Sequence, residues 1–127
     1  MLSLMAASLL CGCVSTTSRA PASQQAVAPV EVRAVVVAMF EVGEDTGDVP
    51  GEFQLWRERQ KLDVRYPFAH HHDLFFNPDT GVLGMVTGMG SINSATAVMA
   101  LALDPRFDLS RAYWLIAGIA GIGPEDG

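Results

Sequence analysis

Three segments of the chain carry residue types suited to holding a small polar molecule. The first runs from Glu41 to Asp48 and holds four acids, Glu41, Glu44, Asp45 and Asp48, interleaved with Gly43 and Gly47. Carboxylates at this density repel phosphate. They suit hydroxyl groups, or a water awaiting a general base. The second is Thr87-Gly88-Met89-Gly90-Ser91, followed by Asn93. Its glycines let the backbone approach a ligand closely, and a helix starting after Gly90 offers free N–H groups. The third is the run Gly118 to Gly123. None of the three contains Lys or Arg, so an anion site with arginine support is not indicated. Gly88-x-Gly90 has Asn93 where a dinucleotide fingerprint has its third glycine, and no Gly-Lys-Ser/Thr follows, which excludes a P-loop.

These loops must be carried by regular elements. Val32 to Phe40 is a β-branched run that reads as a strand buried on both faces. Pro50-Gly51-Glu52 opens a short helix with Asp48 or Pro50 near its first turn, Phe53 and Trp56 on its apolar side, and Arg57, Arg59 and Lys61 in its last turns. Trp56 reads as core, or as a stacking surface. His70 to Phe76 and Val82 to Thr87 form a hairpin around the turn Asn77-Pro78-Asp79-Thr80-Gly81. Ser91 or Asn93 caps a helix to about Leu103, with Ile92, Ala95, Val98, Met99 and Ala102 on its apolar stripe. Ala112 to Ala117 is a further strand. Strand–helix alternation predicts an α/β fold with a mainly parallel sheet. In such sheets ligands sit beyond the C-terminal strand ends, where all three loops fall. His70-His71-His72-Asp73 invites a metal. Read as a strand, it puts only His70 and His72 on one face, with no fourth ligand at useful spacing. No metal and no cofactor is expected.

Composition bounds the function classes. The chain has 127 residues, enough for one domain, and half are hydrophobic, too many for a disordered chain. Its net charge of −6 gives no route onto phosphate backbones, so no nucleic-acid partner is expected. Residues 1–12 read as a signal peptide. Leu10-Cys11-Gly12-Cys13 resembles a bacterial lipobox with Cys13 as the lipidated residue, although Cys11 and the lack of a preceding Lys or Arg depart from that pattern. The alternatives are a plain cleaved signal or a cytoplasmic N-terminus. A lipid on Cys13 would hold the protein on a membrane surface, exported and facing the periplasm, without a spanning helix. Residues 13–29 are a Ser/Thr/Ala/Pro/Gln-rich tether, and the domain occupies 30–127. The final apolar strand and glycine loop read as the first part of a larger domain.

Three strings add a resemblance: Met39 to Phe53, Thr87 to Ala95, and Ala117 to Ile122. Together they resemble the purine nucleoside permease family, and more distantly nucleoside phosphorylases and nucleosidases. The resemblance implies a three-layer αβα, phosphorylase-like mixed sheet, incomplete at its C-terminus. It also implies a purine nucleoside as partner, with uptake or N-glycosidic hydrolysis as the activity. Thr87 stands where those enzymes place a Ser or Thr beside the attacking water or phosphate. The expected substrate-binding residues are Thr87, Gly88, Gly90, Asn93, Gly118 and Gly121. Glu41 is the candidate base from its position just past the first strand, with Glu44 as its alternative. Lacking Lys and Arg in the loops, hydrolysis or plain binding is favoured over phosphorolysis. The full-length protein is expected to be capable of homo-oligomerisation.

Overall fold

The fold is taken from a computed structural model, which describes residues 28–118. The expected leader 1–12, Cys13, the tether up to residue 27, and residues 119–127 with Gly121 lie outside the described residues.

The elements run β1 (Val30–Glu31), β2 (Ala34–Ala38), α1 (Gln54–Arg59), β3 (Val64–Tyr66), β4 (Leu74–Asn77), β5 (Val82–Val86), α2 (Ser91–Ala102), β6 (Phe107–Asp108) and β7 (Tyr113–Ile116). The main sheet has the order β3-β4-β5-β2-β7. β2 is flanked by parallel strands, pairing Val36 with Gly84 of β5 on one side and with Leu115 of β7 on the other. β4 runs antiparallel to both β3 and β5. The sheet is therefore mixed rather than mainly parallel. The reason is local: β3, β4 and β5 follow one another through short turns, which only antiparallel neighbours permit. β1 and β6 form a separate parallel pair, Val30 opposite Phe107.

Alternation along the strands divides the core into two clusters. Val35, Val37, Leu83, Met85, Leu74 and Phe76 pack with Ala97 and Leu101 of α2. Ala38, Val86 and Phe75 pack with Phe53 and Leu62 around α1, with Trp56 partly buried against them. Gly84 is needed at the second cluster: a β-carbon there would lie 2.6 Å from Phe53 Cε2 and 2.7 Å from Leu62 Cδ1. The hairpin turn is an Asx turn. Asn77 Oδ1 accepts from Asp79 N at 2.9 Å, Asn77 Nδ2 donates to the Gln60 carbonyl at 2.7 Å, and Gly81 takes φ +72°.

Four sequence expectations are corrected. The first helix begins at Gln54, after Phe53, and has only six residues; neither Asp48 nor Pro50 lies in its first turn. In α2, Gly90 at φ +90° occupies the N-cap, in place of Ser91 or Asn93. Its inward face carries Ser94, Ala97, Val98 and Leu101, whereas Ile92 is 79% and Met99 60% exposed. Small Ala97 lets the helix approach the sheet, and a contact of Ser94 with the end of β5 fixes its rotation about its axis. Finally, His70 to His72 lie in a turn before β4, not in a strand.

Candidate functional site

The C-terminal ends of β2, β5 and β7 lie side by side. Thr87 N donates to the Ala38 carbonyl at 2.9 Å, and Ala117 N to the Val37 carbonyl at 2.8 Å. This edge is where a sheet of parallel strands leaves backbone groups and loops free for a ligand.

The acidic loop leaving β2 is closed by two carboxylates acting in opposite directions. Glu52 Oε2 accepts from Met39 N at 2.8 Å. Glu41 reaches the other way. Its Oε2 accepts from Phe53 N at 2.8 Å and from Gln54 N, and its Oε1 from Val42 N at 2.8 Å and from Gly51 N. A long-range carboxylate thus does the work of an N-cap, which Phe53 has no side chain to do. Desolvation pushes the Glu41 carboxyl up, but the four N–H donors together outweigh it and hold the group below its ordinary value.

The β5–α2 turn supplies the second wall. Thr87 is buried, and its hydroxyl lies 3.0 Å from the Gly88 carbonyl, 3.2 Å from Ser94 Oγ and 3.4 Å from Met39 Sδ. One hydroxyl proton cannot serve all these neighbours, so Ser94 is able to donate to Thr87 and fix its orientation. Gly88 takes φ +82°, and a β-carbon on it would sit 3.3 Å from Asn93 Cβ. Asn93 Nδ2 donates to the Met89 carbonyl at 2.8 Å, which ties the turn to the first turn of α2.

Between these walls lies a cavity of about 470 Å³, bordered by Glu41, Thr87, Gly88, Asn93 and the three histidines. Its size falls within the roughly 300–1,000 Å³ of small-molecule sites. Among the described residues it has no Lys or Arg in its lining. A second, polar cavity of about 380 Å³ adjoins it across His71 and His72. Here Asp45 sits 2.9 Å from His72 Nε2 and 3.3 Å from Arg57 Nη1, and Asp73 pairs with Arg65. The N–H of Phe68 and then Arg65 hold the Asp73 carboxyl below its ordinary value.

The cavity brings together Glu41, Thr87, Gly88 and Asn93 from the sequence expectations. Glu44 borders the adjacent polar cavity instead, and its N–H donates to Asp48 Oδ2 at 2.9 Å. Gly90 faces open space. Gly118 lies at the same sheet edge: a β-carbon on it would meet Met39 Cγ at 2.7 Å and Glu52 Oε2 at 3.3 Å. Sequence reasoning missed Ser94, Met39 and the histidine turn as neighbours of the site. The spacing of Ser94, seven residues after Thr87, was the available signal for the first.

Comparison with known proteins bears on identity. The family model described as purine nucleoside permease (NUP) matches residues 31–127. A probable purine nucleoside permease of Schizosaccharomyces pombe is 44% identical over 63 residues, covering 50% of this chain and 17% of that protein. A purine nucleoside permease of Candida albicans is 32% identical over 93 residues, covering 73% of this chain and 22% of that protein. The chain thus spans about a fifth of the length of these relatives. No solved structure matches it. With the match running through the acidic loop, the Thr87 turn and the strand at Gly118, this chain belongs to the purine nucleoside permease family.

Proposed function

We propose that the cavity binds a purine nucleoside and that the protein serves nucleoside capture in uptake. The observation that carries this reading is the convergence of Glu41, Thr87, Gly88 and Asn93 on one cavity at the ends of parallel strands, in a chain of this family. In this reading the Thr87 hydroxyl faces the sugar. Glu41, its proton affinity lowered by four backbone N–H donors, holds the acidic loop beside the ribose. A carboxylate so stabilised is a weak proton acceptor, which favours binding over abstraction of a proton from water.

Among the described residues no helix is long and apolar enough to cross a membrane. We read the uptake role as capture at a membrane surface. It is paired with export, a lipid on Cys13 behind the 1–12 leader and 13–29 tether, and a second copy of the full-length protein as a partner. Loss of palmitate label in Cys13→Ser tests the anchor; label retained by that variant refutes it. The phosphorylase-like αβα layering belongs to the same reading and is supported by cores on both faces of the sheet.

Hydrolysis of the N-glycosidic bond is the second reading. The lack of Lys and Arg among the described residues that line the cavity favours it over phosphorolysis. There Thr87 lies beside the attacking water and Glu41, or Glu44, is the base. Binding of inosine and adenosine to the full chain, with free base assayed in parallel, decides between the readings. Binding without release is the expected result, and release of base establishes the second reading. Equal release by Glu41→Gln and wild type removes Glu41 from that mechanism. No binding refutes both.

A further inference from the structure

We infer that His70 and His71 form the base-reading wall of this cavity and set its preference for a purine over a pyrimidine. The inference rests on the nucleoside reading given above.

The three consecutive histidines are not equivalent. His72 is held on both sides: Nδ1 lies 3.0 Å from the Asp73 carbonyl and Nε2 2.9 Å from Asp45 Oδ1. Its ring also packs at 6.1 Å against both Phe53 and Phe75. It anchors the turn. His70 and His71 border the cavity, and among the described residues no hydrogen-bond partner meets their ring nitrogens. His71 stacks at a tilt on Phe68, with ring centroids 5.1 Å apart. His70 takes φ +65°, a conformation unusual for a residue with a β-carbon. The surrounding turn holds it there: His71 N donates to the Phe68 carbonyl at 3.1 Å, and Phe68 N to Asp73 Oδ1 at 3.0 Å.

The two sides of the cavity differ in chemistry. Thr87, Asn93 and Glu41 offer a hydroxyl, an amide and a carboxylate, groups that match sugar hydroxyls. The histidine side offers flat rings. Each neutral imidazole brings one N–H donor and one acceptor nitrogen. A purine nucleoside answers with a fused two-ring face and one free acceptor, N7, on its five-membered ring. A pyrimidine has one ring to stack and lacks that acceptor. Loss of one aromatic stacking partner weakens base binding by about tenfold or more.

The test is calorimetric titration of the full chain with inosine and with uridine. His70→Asn is the chosen variant, because asparagine tolerates the left-handed backbone while removing the ring. His70→Gly serves as its partner, and His71→Asn tests the second ring. Each variant is expected to bind inosine about tenfold more weakly, at an unchanged Tm for the His70 variants, while uridine, with one ring to stack, loses less, so that the inosine-to-uridine ratio falls. Inosine binding within twofold of wild type overturns this inference and leaves the nucleoside reading standing. Equal losses for inosine and uridine also overturn it, since they mark a general structural role. A wild-type chain that binds no inosine removes both.

Discussion

Replacing Glu41 with Ala leaves the N–H groups of Val42, Gly51, Phe53 and Gln54 without their acceptor. Three of these belong to the approach and first turn of α1. If they stayed dry, the loss would be about 1–3 kcal/mol for each donor. They are only partly buried, so water replaces much of the carboxylate. The capping range of roughly 0.5–2 kcal/mol is then the appropriate scale, with its upper end expected for a group serving several donors. For a unit of about 100 residues, 2 kcal/mol corresponds to a fall in Tm of roughly 8–16 °C. Glu41→Gln keeps one acceptor oxygen and should lose about half as much. The pH dependence follows from the direction of the shift. A carboxyl held below its ordinary value of 4.5 contributes its full stabilisation above that pH and loses it as pH falls through the folded value. Thermal unfolding of wild type, Glu41→Ala and Glu41→Gln should therefore show a gap at neutral pH that narrows in acid. A Glu41→Ala protein as stable as wild type at neutral pH would refute the capping role, as would a gap undiminished in acid.

Other perturbations follow from the same contacts. Gly84→Ala forces a methyl into Phe53 and Leu62 and should lower stability by about 1–3 kcal/mol in chemical denaturation. Leu62→Ala empties a fully buried site in the same cluster and should cost about 2–5 kcal/mol by the same measurement. Asn77→Ala removes both the Asx turn and the tie to the Gln60 carbonyl; a loss of about 1–3 kcal/mol is expected, with faster amide exchange at Asp79 and Thr80. Thr87→Val keeps the shape and deletes the hydroxyl, so inosine affinity should fall about tenfold.

The parts legible in the sequence were those set by short-range pattern. β2, the Asn77–Gly81 turn, the β4–β5 hairpin, α2 and β7 follow from β-branched runs, Asx chemistry and punctuating glycines. The meeting of Glu41 with Thr87 at one cavity follows from strand order, which parallel pairing dictates. What escaped is non-local. The apolar stripe of α2 is ambiguous because Ile92 and Met99 share one face while Leu101 lies on the opposite one, on a helix of mostly small residues; the Thr87–Ser94 contact decides which face turns inward. The Glu41 cap joins residues ten and more positions apart, beyond any capping-box spacing. The histidine turn reads as a strand because its alternation with Phe75 is extended in form; the positive φ of His70 arises from the Asp73 clamp on Phe68.

The two opposed carboxylates at the foot of the acidic loop have an engineering consequence. Because Glu41 and Glu52 tie the loop's ends directly to backbone, the stretch from Gly43 to Val49 is relieved of holding them together. Lengthening such a closed loop is entropically mild, about 0.6 kcal/mol for each doubling. Gly47, with open space around its α-carbon, is then a natural insertion point for a reporter tag or a fluorophore-bearing peptide. A probe placed there would sit one loop away from the cavity, on a support that the two glutamates keep in register with the sheet.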